Sequence, residues 1–302
     1  MSTSNTASIR RHYLGIGLIL LAALGFSAKG IFIKLAYTDQ SVDAITLMTI
    51  RMLMSIPFFL VVAVFYARDS ASEPLQSSDM FHVLYLGCIG YYLSSYLDFN
   101  GLHYISASLE RLVLYLYPSF VIVLTVISVR RAPRKQELLA LALSYSGIGL
   151  VFALELSKEG PEIITGTLSV LAAALSYAFF MLGSQQAIRR MGAARFTAYS
   201  MLAASSMVCI HYLFTNEFRI LDMSVDFYLY GLALALFSTV LPAFMMNAGI
   251  KQIGASRTAV LTSVGPVLTL LLAWSVLGEA IGPLQLLGTV LILFGVYISG
   301  RH

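Results

Sequence analysis

One stretch of eighteen residues occurs twice in this chain. Residues 101–118 read GLHYISASLERLVLYLYP, and residues 249–266 read GIKQIGASRTAVLTSVGP. At a constant offset of 148 residues the two stretches share five identical residues. In the first copy these are Gly101, Ile105, Ala107, Ser108 and Pro118. Such self-similarity at one offset indicates an internal repeat, and we expect its two copies to be residues 1–155 and 156–302.

The composition around this repeat excludes a soluble protein. Of the 302 residues, 58% belong to the AVILMFWYC set and only 11% are charged, with a mean hydropathy of +0.82. Soluble domains carry about 25% charged residues, and a helix of about 20 apolar residues spans a bilayer. The sequence therefore predicts an all-α polytopic membrane protein. No room remains for a water-soluble domain, so nucleic-acid binding is excluded.

Apolar stretches separated by short polar breaks predict ten membrane-spanning helices. The predicted spans are 13–36, 44–66, 80–97, 104–128, 136–154, 163–187, 196–214, 227–249, 256–277 and 282–299. Each copy of the repeat then holds five helices. Because five is odd, the second copy enters the membrane from the opposite side, which predicts two inverted five-helix repeats. Many secondary transporters have this architecture, with a binding site near the midplane between the repeats.

The placement of the basic residues predicts the orientation. If the N-terminus is cytoplasmic, thirteen of the 19 Lys and Arg residues fall in cytoplasmic segments, two fall outside and four lie within spans. Cytoplasmic loops of membrane proteins carry such an excess. We therefore expect both termini in the cytoplasm and the chain in the plasma membrane, which is the inner membrane in a bacterium.

Five charged residues lie within the predicted spans, all in the first half: Lys29, Lys34, Arg51, Glu110 and Arg111. Each costs roughly 2.5–3.5 kcal/mol to insert, so such residues usually face a bundle interior or a cavity. A net charge of +3 with Glu110 as the lone carboxylate predicts an anionic or zwitterionic substrate, with Glu110 as pairing partner or proton carrier. The structural alternative is that Arg51 pairs with Glu110 while Lys34 and Arg111 extend to the surface.

Aromatic residues near the midplane form a second group of candidate binding residues. Tyr91, Tyr92 and Tyr115 lie about 16 Å from the starts of their spans, and Phe26 and Tyr177 occupy matching depths in the inverted helices. Polar-tipped rings at this depth need a hydrogen-bond partner or a cavity. They predict a pocket for an apolar or aromatic side chain, and plain packing is the alternative for any one ring.

The repeat adds one candidate binding residue, and three prolines are candidate kink positions. Ser263 stands 148 residues after Tyr115, so a hydroxyl group occurs at both related positions. Pro118, Pro242 and Pro266 fall inside predicted spans, where a missing backbone donor kinks or breaks a helix. We predict bends in the fourth, eighth and ninth spans, which could take part in gating.

The repeated residues also resemble a known family. Gly249 to Pro266, continuing through Trp274-Ser-Val-Leu-Gly278-Glu279 to Gly295-Val296, resembles the closing signature of the EamA-like branch of the drug/metabolite transporter superfamily. Lys34, Arg51 and Ala107 to Pro118 resemble the matching first-half signature. The resemblance implies two five-helix repeats, no ATP hydrolysis, and transport, often export, of small metabolites such as amino acids. The chain departs from the family pattern at Arg130-Arg131, where the family usually has Gly-Glu.

Together these features predict a secondary transporter that works by alternating access and exports amino acids or related zwitterions or anions. Its expected partners are a small-molecule metabolite, the lipid bilayer and protons as a candidate coupling ion, in a monomer or homodimer, with no cofactor or metal. A multidrug or other-metabolite transporter of the same fold is the nearest alternative. An intramembrane enzyme or a receptor is a more distant one, and the chain contains no GxSxG or HExxH motif.

Overall fold

The computed structural model describes residues 2–39, 42–68, 76–215, 219–253, 258, 261–262 and 264–299. Its α-helices are α1 (Ser2–Asp39), α2 (Ala44–Arg68), α3 (Ser77–Gly87), α4 (Ser94–Gly101), α5 (Ala107–Leu114), α6 (Tyr117–Val129), α7 (Lys135–Glu159), α8 (Glu162–Met191), α9 (Ala193–Thr215), α10 (Val225–Ala235), α11 (Leu241–Ile253), α12 (Gly265–Leu272) and α13 (Pro283–Ser299). The described residues contain no β-strand. The predicted all-α fold class is confirmed.

The predicted spans correspond to these helices. Seven helical stretches are long and apolar enough to cross a membrane, and two shorter apolar helices occupy Gly265–Leu277 and Pro283–Ile298. The tenth stretch is a continuous helix from α3 to α4, which a π-helical segment at Cys88–Leu93 joins. Large apolar side chains such as Phe65, Phe81 and Phe214 remain exposed, as expected for a surface that faces lipid.

Successive spans run in opposite directions because short connections join them. The start of α1 and the end of α13 therefore lie at one face of the bundle, which we call the terminus face, together with the connections at 130–134 and 192. The opposite face, which we call the distal face, carries the connections at 102–106, 160–161 and 278–282. The charge bias of the sequence predicts that the terminus face is cytoplasmic.

The two halves of the chain pack against each other through related helix pairs. The first helix of each half contacts the third span of the other half, since α1 lies against α11 and α8 lies against α4. The last helices of the halves, α7 and α13, contact each other along their lengths. A methyl group at Gly147 would lie 2.6 Å from the carbonyl oxygen of Gly288, so only glycine permits this close approach.

Interruptions of the helices also recur at the offset of 148 residues. The π-helical segment at Cys88–Leu93 has its counterpart at Leu236–Val240, between α10 and α11. The fourth span breaks between α5 and α6, and Pro118 is the second residue of α6. Pro266 has the same position in α12, and Pro242 is the second residue of α11, which follows the π-helical segment of the eighth span. Each candidate kink proline therefore lies beside an interruption of its span.

Candidate functional site

Four charged side chains meet in the core of the bundle, on α1, α4 and α5. The ammonium group of Lys29 donates to Oδ2 of Asp98 at 2.5 Å and lies 3.8 Å from Oε1 of Glu110. Nε of Arg111 lies 4.0 Å from Oε2 of Glu110. We call these four residues the charge cluster, and its formal charge is zero.

The local sequence explains how Glu110 reaches this position. Ser106 caps α5 by accepting a hydrogen bond from the amide of Leu109, so the helix begins at Ala107 and Glu110 lies in its first turn. The carboxylate then lies near the positive end of the helix dipole. Gly30 on α1 leaves the space, because a methyl group there would approach Oε2 of Glu110 to 3.3 Å.

Three oxygen atoms of the charge cluster are buried without a hydrogen-bond partner among the described residues. They are Oδ1 of Asp98 and both carboxylate oxygens of Glu110. Asp98 is 1% exposed and Glu110 is fully buried. Burying a polar group without a hydrogen bond costs about 1–3 kcal/mol, so the cluster retains capacity for a proton or a donor group.

Asp98 corrects the predicted charge of this region. The sequence predicted an excess of +3 with Glu110 as the lone carboxylate, because the third span was expected to end at residue 97. The helix in fact continues to Gly101, which places Asp98 inside the bundle beside Lys29. The charge cluster is therefore balanced, and Glu110 is one of its two carboxylates.

Arg51 lies apart from this cluster. Its guanidinium group is 4.8 Å from the centre of the Phe99 ring, and the side chain is 4% exposed. No ion pair with Glu110 forms, in contrast to the structural alternative, and Nε has no hydrogen-bond partner in the described part of the chain. A buried charge without an ion-pair partner costs several kcal/mol, so Arg51 is a costly residue to hold in the core.

A cleft of about 510 Å³ opens at the distal ends of α1, α2 and α4. Its lining is Tyr37, Val42, Asp43, Ala44, Ile45, Tyr96, Asn100, His103 and Tyr104. The ring of Tyr37 stacks on His103 at 3.6 Å, and its hydroxyl donates to the carbonyl oxygen of Phe99 at 2.9 Å. Burial and the nearby Lys34 lower the pKa of His103, so the imidazole is neutral at pH 7.

The aromatic candidates form a continuous row that crosses from one half of the chain to the other. Tyr115 contacts Tyr117 at 6.1 Å between ring centres, and Tyr117 contacts Tyr177 at 5.1 Å. Phe180 then links Tyr177 to Tyr91, at 5.6 Å and 4.9 Å. The hydroxyl of Tyr115 donates to the carbonyl oxygen of Thr262 at 2.7 Å, which ties α5 to the ninth span.

Tyr92 and Phe26 lie outside this row. The hydroxyl of Tyr92 is 3.0 Å from Nδ1 of His211 on α9, and Tyr96 contacts the same imidazole at 5.0 Å. Phe26 contributes its carbonyl oxygen, which accepts a hydrogen bond of 2.5 Å from Arg111. Ser263 lies outside the described residues.

Polar contacts tie the two halves together at each face. At the distal face, the carboxylate of Glu279 accepts from the amides of Ala107 and Ser108 at 2.8 and 3.1 Å, and from the Ser108 hydroxyl at 2.5 Å. At the terminus face, Arg190 on α8 forms an ion pair of 3.1 Å with Asp79 on α3. Both contacts join residues from different copies of the repeat.

Sequence reasoning missed Asp98, Tyr117, Phe180 and His211. Asp98 lay one residue beyond a predicted span, and the excess of cations was the signal that another carboxylate was nearby. Phe180 follows Tyr177 by three residues, so helical spacing places both rings on one face of α8. His211 gave no comparable signal, because its contact with Tyr92 depends on the packing of α9.

Comparisons with known proteins agree with this architecture. A family model described as "EamA-like transporter family" matches residues 13–153 and again residues 164–301. The "Uncharacterized transporter YcbK" of Bacillus subtilis is 28% identical over 95% of this chain and 93% of its own length. The "Uncharacterized transporter sll1319" of Synechocystis is 21% identical over 94% and 92%. A solved crystal structure superimposes with a TM-score of 0.63 at 16% identity, covering 96% of both chains, which supports the fold alone.

Proposed function

Because the chain belongs to the EamA-like transporter family, we propose that it exports amino acids or related zwitterions and anions by alternating access. The two halves, residues 1–155 and 156–302, are the elements that move relative to each other. The proposal extends to both the substrate class and the direction of transport. Membership of the family by itself shows that the protein is an integral membrane transporter of small molecules.

The charge cluster is the observation that carries this proposal. Lys29, Asp98, Glu110 and Arg111 lie in a core where charged groups are costly, and three of their carboxylate oxygens lack hydrogen-bond partners among the described residues. The cluster also stands close to the aromatic row, because Tyr115 follows Arg111 by four residues and its amide donates to the carbonyl oxygen of Arg111 at 3.1 Å. Charged groups beside aromatic rings suit a metabolite with a polar head and an apolar side chain.

Alternating access requires contacts that close one face while the other face is open. The Glu279 contacts at the distal face and the Asp79–Arg190 ion pair at the terminus face both connect the halves. We propose that opening of each face breaks the tie on that face. Both ties are hydrogen-bonded or ionic, so water can replace either one when a face opens.

Protons are the proposed coupling ion. Asp98 and Glu110 share one neighbourhood with Lys29, so the pair holds either two negative charges or one charge and one proton. Opening to water favours the charged state, and closure favours the protonated state, because a carboxylate loses its hydration on burial. The protonation state then biases the balance between the two conformations.

Flux into proteoliposomes tests the function. We expect the purified protein to move radiolabelled L-amino acids across the bilayer and to leave them chemically unchanged. Glu110→Gln should retain the fold and flatten the pH dependence of the flux, whereas Glu162→Gln, an exposed carboxylate on α8, should behave as the unmodified protein. Chemical conversion of the solute would support an intramembrane enzyme, and flux of organic cations alone would support a multidrug transporter.

Cysteine labelling tests the orientation in the plasma membrane. Cysteines introduced at Ala132 and Lys158 lie at opposite ends of α7, at the terminus and distal faces. In intact cells we expect a membrane-impermeant maleimide to label position 158 and to spare position 132. The opposite pattern would place both termini outside the cell.

A further inference from the structure

Arg51 is a buried guanidinium group that the protein does not neutralise. The side chain is 4% exposed, and Nε has no hydrogen-bond partner among the described residues. The other core cations nearby, Lys29 and Arg111, both lie beside Glu110 in the balanced charge cluster. Arg51 is therefore the surplus positive charge of this part of the core, and an anionic group from outside the chain would compensate it.

Phe99 fixes the direction from which an anion can approach. Its ring lies against Arg51 at 4.8 Å, so one face of the guanidinium plane is covered. A guanidinium group donates from its edge, and a carboxylate binds there with two parallel hydrogen bonds. The unpartnered Nε belongs to that edge, which leaves a binding position for a planar carboxylate rather than for a halide ion.

Asp98 provides a negative group close to the same position. Asp98 directly precedes Phe99, whose ring lies against Arg51, and none of its oxygens forms an ion pair with Arg51 in the described structure. Oδ2 of Asp98 is occupied by Lys29, whereas Oδ1 has no hydrogen-bond partner. Two opposite charges thus stand near each other without contact, each with an unused hydrogen-bonding atom.

We propose that Arg51 and Asp98 hold the two ends of a zwitterionic substrate. The carboxylate of the substrate binds the Nε edge of Arg51, and its ammonium group donates to Oδ1 of Asp98. This proposal rests on the function proposed above and assigns the groups that recognise the head of an amino acid. It predicts that both charged ends of the ligand are needed for tight binding.

The distal cleft is lined by residues of α2 and α4, the two helices that carry Arg51 and Asp98. Ala44 lines the cleft, and Arg51 lies seven residues further along α2, which is two helical turns and about 10 Å deeper on the same helix face. Tyr96 and Asn100 line the cleft from α4, three residues before Phe99 and one residue after it. Tyr37 also lines the cleft, and its hydroxyl donates to the carbonyl oxygen of Phe99.

Ligand analogues test the two ends separately. Binding to the purified protein in detergent is measured by thermal shift and calorimetry with the twenty proteinogenic L-amino acids. Each amino acid that binds is compared with its methyl ester, which lacks the carboxylate, and with its deaminated carboxylic acid, which lacks the ammonium group. For the unmodified protein we expect each analogue to bind at least about 10-fold more weakly, since charged groups left unpaired reduce affinity.

Variants assign each preference to its residue. In Arg51→Gln, the dissociation constants of the amino acid and its methyl ester should differ by no more than about 2-fold. In Asp98→Asn, the dissociation constants of the amino acid and its deaminated acid should likewise differ by no more than about 2-fold. Arg51→Lys, which retains the charge, should keep the preference for the carboxylate with weaker affinity. This variant also serves if Arg51→Gln does not fold. Arg189→Gln, an exposed arginine on α8, is the matched control and should leave both preferences unchanged.

The outcomes separate this proposal from the proposed function. If amino acids are transported and both variants keep the preferences of the unmodified protein, Arg51 and Asp98 do not hold the substrate and the zwitterion site is overturned. If only organic cations bind, the zwitterion site is also overturned while a transporter of another substrate class remains. If no small organic solute is moved, the proposed function itself fails.

Discussion

Two connections at opposite faces of the bundle have similar backbones and opposite side chains. Arg130 and Gly278, 148 residues apart, both have left-handed backbone conformations, with φ of 51° and 70°. The residues that follow them differ. Glu279 reaches across to cap the N-terminus of α5 in the other half, whereas Arg131 bonds to Glu137 in its own half. The repeat thus preserves the turn, while the contact that follows it depends on one side chain.

In the core, too, the two halves share their helices but differ in their side chains. At the offset of 148 residues, Lys29 corresponds to Tyr177 and Glu110 corresponds to Thr258. The second half builds its five helices with uncharged residues at these positions, so the fold does not need the charges. Charges that the fold does not need, yet which cost energy to bury, support a functional role for the first half of the core.

Removing the lysine of the charge cluster should have the largest effect on stability. Lys29→Met leaves Asp98 and Glu110 buried with Arg111 as the remaining nearby cation, and loss of one member of a buried ion pair costs about 3 kcal/mol or more. We expect a marked fall in the melting temperature of the purified protein in detergent. The corresponding change in the second half, Tyr177→Phe, removes no charge and should cost less than about 1 kcal/mol.

A double variant identifies the cause of that loss. Lys29→Met combined with Asp98→Asn removes one uncompensated carboxylate and should recover part of the melting temperature. Equal stability of Lys29→Met and Tyr177→Phe would show that water reaches the charge cluster and that its charges are not buried in the membrane protein.

Loss of a contact that ties the two halves should have the next largest effect on stability. Glu279→Ala removes three hydrogen bonds from the start of α5, and loss of a helix cap costs roughly 1–2 kcal/mol. Arg131→Gln removes an ion pair within one half whose arginine is partly exposed, so a smaller loss is expected. Chemical unfolding of both variants in mixed micelles measures the difference. A larger loss for Arg131→Gln would refute the view that Glu279 is the stronger tie.

The sequence was sufficient to predict the fold because hydropathy and the repeat act over whole helices. The ten spans and the inverted arrangement follow from patterns of twenty residues or more, and the interruption beside Pro118 follows from the missing backbone donor of proline. The π-helical segment at Cys88–Leu93 was not predicted, since no proline marks it and a π-helix adds only one residue to a turn.

The site was less predictable because it depends on single side chains. A shift of one residue in the end of the third span hid Asp98, and that residue changed the net charge of the core. The position of Arg51 over Phe99, in place of an ion pair with Glu110, depends on how α2 packs against α4. Hydropathy identifies which residues are buried but does not determine which buried residues meet.

The smallest effects should come from the paired turns at Arg130 and Gly278, and they should have opposite signs. Gly278 has space for a methyl group, so Gly278→Ala changes only the backbone preference, and a left-handed residue with a side chain costs roughly 1 kcal/mol. Arg130→Gly relieves the same strain but increases the freedom of the unfolded chain, so a gain of about 0.5 kcal/mol or less is expected. Thermal unfolding of the two variants beside the unmodified protein measures both signs, with Gly282→Ala as a control at a glycine with ordinary φ and open space. A loss of stability in Arg130→Gly as large as that in Gly278→Ala would mean that the Arg130 side chain contributes contacts of its own, and the two turns would then be alike in backbone but not in what stabilises them.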